Sequence, residues 1–180
     1  MIITMGDSLE YMKTISNKHF DIIITSPPYN MNLRLNKKND GYISRQIVPE
    51  ISTKYDNFSD NLSMDDYEEF LYNNLVEMIR ISNLTFLNIQ SITGNKRAVL
   101  KVMGRLNEYV KEIIIWNKVN SQPSIQSNIL NSQFEFLYVF GDNPISRMFT
   151  HVNFNRGTLS NVWDIKKSRS KIKGHKASYP

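Results

Sequence analysis

Asp21-Ile22-Ile23-Ile24-Thr25-Ser26-Pro27-Pro28-Tyr29-Asn30 is the stretch from which the rest of the chain can be read. Its three isoleucines and a threonine form a β-branched run of strand length, the pattern of a buried strand in a parallel sheet. Pro27 and Pro28 then remove two backbone donors and fix φ, so the ladder cannot continue and a loop begins. This places a rigid polar-Pro-Pro-aromatic element at the end of a strand, where ligands of open α/β sheets bind.

On the N-terminal side, Ile2-Ile3-Thr4 reads as a second short strand, followed by Gly6-Asp7 and a helix with Leu9, Met12 and Ile15 on its apolar side. On the other side, positions 30–61 are polar and lack periodicity, which predicts a long loop of the functional kind. Ser63 with Asp66 three residues later predicts a capped helix carrying Tyr67, Phe70, Leu71, Leu75, Met78 and Ile79 as one stripe. Leu84–Ile89 reads as a strand, 96–106 as a helix, and Glu112–Trp116 and Phe134–Phe140 as two further strands. Strands alternating with helices predict an α/β domain over residues 1–180 with a mostly parallel sheet. The part after Gly141 has little periodicity and is basic.

Composition narrows the possibilities. The 180 residues, 41% hydrophobic and 11% aromatic, suffice for one domain with a real core. No apolar run approaches the roughly 20 residues of a membrane span and the start lacks a signal-peptide pattern, which leads us to expect a cytoplasmic protein. With no cysteine and three scattered histidines, thiolate chemistry is excluded and no metal centre is expected. The net charge of +5 is concentrated at Lys166, Lys167, Arg169, Lys171, Lys173 and Lys176. That cluster suits a polyanionic partner, or equally a solvated basic tail.

The chemistry available to Ser26–Tyr29 can be derived. The lone pair of a nucleobase amino group is delocalised into the ring, so methylating it requires acceptors that draw its hydrogens out of the base plane. The Ser26 oxygen and the Pro27 carbonyl are two such acceptors, held by prolines that leave little to reorganise as charge develops. Tyr29 offers a face to a base extruded from the duplex. Considered alone, the same tetrapeptide is also a proline turn after a core strand.

In sequence this stretch resembles the catalytic motif of DNA amino-methyltransferases, which act on cytosine N4 or adenine N6 with S-adenosylmethionine. Gly6-Asp7-Ser8-Leu9-Glu10 is similar to the family's acidic cofactor motif, although Asp7 alone would read as a helix cap. The strands around Glu112–Lys118 and Phe134–Gly141 match the family's order. Asn161–Ile165 and Gly174-His175-Lys176-Ala177-Ser178-Tyr179-Pro180 resemble its closing signature.

The resemblance implies a Rossmann-like methyltransferase fold with Ser26, Pro27, Pro28 and Tyr29 as catalytic residues. Asp7, Ser8, Thr25, His175, Ala177 and Tyr179 would be cofactor-binding. The implied partner is double-stranded DNA with a flipped target base, contacted by loops near 30–61 and 141–174, as in restriction-modification. Ser26 at the first motif position leans toward cytosine, with adenine open.

The match is to the rearranged subgroup, in which the catalytic motif precedes the cofactor glycine motif. None of the seven glycines forms a closely spaced loop of that kind. The fold is therefore expected to be incomplete on its C-terminal side. A completing polypeptide segment is expected to be required for activity, and an inert DNA-binding or assembly module is the alternative.

Overall fold

A computed structural model describes residues 5–30, 62–121, 124, 127–141, 146–150 and 152–166. The expected strand at Ile2–Thr4, the loop at 31–61 and the closing signature at 174–180 lie outside these residues. In chain order the elements are α1 (Ser8–Lys13), β1 (Phe20–Thr25), α2 (Met64–Ile81), β2 (Ser82–Ile89), α3 (Lys96–Arg105), β3 (Val110–Asn117), β4 (Phe134–Gly141) and β5 (Val162–Asp164).

The five strands form one sheet in the order β1-β2-β4-β3-β5. β1 and β2 pair parallel, as do β3 and β5, whereas β4 pairs antiparallel with both β2 and β3. Four strands therefore point one way and β4 alone runs against them, as expected of a mostly parallel α/β sheet. The reversal follows from the connections. α2 carries the chain back across the sheet between β1 and β2, while β3 passes to β4 with no intervening helix among the described residues and so returns beside it.

α2 begins where Ser63 caps it, the hydroxyl accepting from the Asp66 amide at 3.1 Å. Its stripe of Tyr67, Leu71, Leu75 and Ile79 is buried against Leu87 and Ile89 of β2, Tyr138 and Phe140 of β4, and Val99 and Val102 of α3. A smaller cluster of Leu84, Ile114 and Val139 occupies the opposite face, with Phe149, Val152 and Trp163 packed on it. β5, which lacks a periodic signal of its own, is held to β3 by register pairs Ile115 to Val162 and Trp116 to Trp163. The Trp116 indole also donates to the Ile165 carbonyl at 2.7 Å.

One expectation needs correction. The isoleucine run reads as buried in sequence, yet Ile22 is 44% and Ile24 78% exposed. The reason is positional: among the described residues β1 pairs only with β2 and forms the sheet edge. Ile22 and Ile24 stand opposite Leu84 and Phe86 and so point to the sheet face away from α2, which is uncovered there.

α1 is tied to this frame by Arg80 of α2, whose guanidinium donates to the Ile15 and Met12 carbonyls, both at 2.8 Å. The Met12 carbonyl also accepts from the Ile15 amide in the closing turn at 3.0 Å, so the guanidinium grips α1 where its ladder runs out. Lys18 answers from the other side, donating to the Ile79 and Ser82 carbonyls.

Candidate active site

Because four strands share a direction, their carboxyl ends lie together at one end of the sheet. Ser26–Asn30 follows β1, Gln90–Asn95 follows β2, Lys118 follows β3, and the start of the reversed β4 brings Glu135 to the same end. This is where ligands of α/β sheets are expected.

The loop after β1 is held residue by residue. The Tyr67 hydroxyl donates to the Pro28 carbonyl at 2.7 Å, and the Asn95 amide donates to the Tyr29 carbonyl at 2.9 Å. Asn30 is 3% exposed with φ of 55°, a left-handed conformation that asparagine tolerates better than most residues. Its amide donates to the Leu62 and Gly94 carbonyls, and its oxygen accepts from the Leu62 amide at 2.7 Å. One side chain thus joins positions 30 and 62 and fastens both to the loop after β2. In contrast, the Pro27 carbonyl meets no donor among the described residues.

Ser26, Pro27 and Pro28 line a cleft of about 200 Å³ together with Thr25 and Ser8, walled by Phe70, Leu71, Leu75 and Met78 of α2 and by Leu87. Five of the residues expected from the sequence therefore meet. Asp7 caps α1, its carboxylate accepting from the Glu10 amide at 3.0 Å. It fixes Ser8 at the helix start and does not itself line the cleft. His175, Ala177 and Tyr179 lie outside the described residues. The lining fits part of S-adenosylmethionine, with hydroxyls and a carbonyl for polar atoms and an apolar wall for a flat ring. The volume is below the ~300–1,000 Å³ of whole small-molecule sites. Among the described residues no group of His, Asp and Glu is placed to hold a metal ion.

Tyr29 is partly buried against the α2-side core, and its hydroxyl is drawn inward to three partners. Ser26 Oγ lies at 3.2 Å, Asn88 Oδ1 at 3.2 Å and Glu135 Oε2 at 2.9 Å. Lys118 Nζ pairs with Glu135 Oε1 at 3.2 Å, and both residues are buried. Burial, and then the neighbouring Glu135 charge, hold the Tyr29 phenol above its ordinary range, so the hydroxyl keeps its proton.

Sequence reasoning treats β3 and β4 as core and misses Asn88, Lys118 and Glu135. The available signal is the carboxylate in the apolar run Phe134–Phe140, since a charge in such a run requires a partner.

An α/β sheet with a cleft at the carboxyl ends of its strands has the arrangement in which open α/β folds bind their ligands. The sequence pattern of the DNA methylase family, N6/N4 type, matches residues 20–180, and the chain belongs to that family.

It is 25% identical over 128 residues to the Type II methyltransferase M.HinfI of Haemophilus influenzae, a match that covers 68% of this chain and 33% of that protein. TTHA0409 of Thermus thermophilus, solved with S-adenosyl-L-methionine, superposes with a TM-score of 0.48 at 14% identity. That match covers 88% of this chain and 66% of that one. M1.HpyAVI, solved with the same cofactor, gives 0.45 at 17% identity over 92% and 62% of the two chains. The chain thus spans about a third of the curated relative's length.

Proposed function

We propose that this chain carries the target-base side of an S-adenosylmethionine-dependent DNA methyltransferase acting on an exocyclic amino group, cytosine N4 before adenine N6. The observation that carries the reading is the Ser26–Pro27 pair at the cleft. The Pro27 carbonyl is unpartnered among the described residues, while its flanking residues are fastened by Tyr67, Asn95 and Asn30. Two acceptors preset in this way would draw the amino hydrogens out of the base plane at little reorganisation cost. Tyr29 would meet the extruded base beside them.

When bound, S-adenosylmethionine supplies an electrophilic methyl group. Ser8 and Thr25 would hold the part of the cofactor nearest Ser26, and His175, Ala177 and Tyr179 would border its methionine end. Asp7 would act mainly by setting the start of α1.

The cofactor is held jointly with a further segment that brings the glycine loop, in the same polypeptide or another. Three features support this: the glycine spacing, the partial cleft, and the apolar edge at β1 left uncovered among the described residues. The DNA partner would meet the basic residues from Lys166 onward. Binding should then weaken with salt, and each of these charges that is neutralised should reduce the log–log salt slope by about one.

The test follows labelled methyl from S-adenosylmethionine into duplex DNA with the full-length protein, followed by identification of the modified nucleoside. Ser26→Ala should lower turnover by about 10²-fold or more. Methylation at the wild-type rate in that variant would refute the site. DNA retention with no methyl transfer under any condition would favour an inert binding module.

A further inference from the structure

The Tyr29 hydroxyl has three polar neighbours but a single proton. Two of the three only accept. Glu135, paired with the Lys118 ammonium, presents a carboxylate oxygen at 2.9 Å. Asn88 presents its carbonyl oxygen at 3.2 Å, because its amide nitrogen is committed to the Phe136 carbonyl. The tyrosine proton therefore goes to one of these, and the charged, shorter contact to Glu135 is the stronger claim on it.

The third neighbour, Ser26 Oγ at 3.2 Å, is then left to donate. A serine hydroxyl free to rotate can give or take a hydrogen bond. Donating to Tyr29 would turn its hydrogen inward and leave its lone pairs for the cleft.

From this, and on the reading of the cleft as the amino-methylation site, we infer that Glu135 is a positioning residue. Acting through the Tyr29 hydroxyl, it fixes Ser26 as a hydrogen-bond acceptor toward the target amino group. A carboxylate or carboxamide at position 26 would accept without help, whereas a serine needs its rotor set. Neither Lys118 nor Glu135 lines the cleft, and the Lys118 ammonium balances the buried charge that does the setting. Tyr29's position above its ordinary range accords with this, since a phenol that ionised would cease to donate.

The test uses the full-length protein with Glu135→Gln, Tyr29→Phe and Ser26→Asn, singly and paired. Tyr29→Phe keeps the ring and leaves the Lys118–Glu135 pair intact, which guards against a folding defect in Glu135→Gln. Each of the two should lower kcat by about tenfold to a hundredfold while KM for DNA and cofactor stays within about twofold. The double variant should be no worse than the more damaged single.

In the Ser26→Asn background, where the side-chain carbonyl accepts unaided, both changes should alter kcat by less than about twofold. Independently of turnover, ring-labelled Tyr29 followed by NMR should titrate closer to the ordinary tyrosine value in Glu135→Gln than in wild type. Equal losses with and without Ser26→Asn, or an unmoved Tyr29 titration, would overturn the inference. A wild-type protein that transfers no methyl would instead remove the reading on which it rests.

Discussion

At the scale of single residues, Asn30 and Tyr29 are the side chains on which the loop's shape depends. Replacing Asn30 by Ala removes three hydrogen bonds around a buried position and puts a Cβ-bearing residue without a side-chain partner at φ of 55°. The expected loss is about 1–3 kcal/mol from the unmet groups. Glycine at the same place should recover about 1 kcal/mol of it, because the left-handed conformation no longer costs. Urea midpoints of the two variants separate these contributions, and equal values would show that the backbone conformation is unstrained.

Tyr29 gives a pH-dependent prediction of definite sign. Its folded value lies above the ordinary 10.0, so the associated stability is fully present below pH 10.0 and is lost as pH rises from there toward the raised value. Tyr29→Phe should flatten the fall of the urea midpoint above pH 10.0, and an identical alkaline slope in the two proteins would remove Tyr29 as its source. Ser26–Tyr29 was legible in sequence because Pro-Pro is a local signal. The partners Asn88 and Glu135 lie 59 and 106 residues away, and only sheet order brings them near.

At the scale of elements, the seven strands and helices read from periodicity between Leu9 and Phe140 are present, with ends shifted by a residue or two. Their signals are local: the Ser63 cap, the α2 stripe, the β-branched and aromatic runs. β5 was not legible, because Val162–Asp164 is too short to show a period and owes its conformation to β3. The tether of α1 was equally hidden, since Arg80 had no sequence cue linking it to the end of a helix more than sixty residues earlier.

That tether carries a prediction. Arg80→Met keeps an apolar stem but removes the donors to Met12 and Ile15. α1 amides should lose hydrogen-exchange protection while those of α2 and β2 keep theirs. Cofactor binding should weaken with them, as Ser8 is no longer fixed beside Thr25. Protection unchanged in α1 would show that its packing on α2 suffices without Arg80.

For the molecule as a whole, the sheet face away from α2 is covered near β3 and β4 and, among the described residues, bare near β1. β5 and the segment around Phe149 cover the far face near β3 and β4. β1 leaves Ile22 and Ile24 in solvent on the same face, together with an unpaired strand edge among the described residues. An exposed apolar edge strand is a liability that proteins normally blunt with charge, proline or a covering element. Here the central residues Ile22-Ile23-Ile24 carry none of the first two. The run reads as buried in sequence because β-branched residues signal burial in a completed sheet, and the pattern cannot report which neighbours are present.

If the segment bearing the glycine loop covers this edge, Ile24 serves association and not the folding of the residues described. Ile24→Lys at a 78% exposed position should then change the chain's own stability by no more than about 0.5 kcal/mol. The same substitution should sharply weaken association with the completing segment supplied as a separate polypeptide, and with it any methyl transfer that mixing restores. Equal association by wild type and Ile24→Lys would place the joining surface elsewhere. A large loss of stability in the chain alone would mean that the edge is already covered by residues of its own.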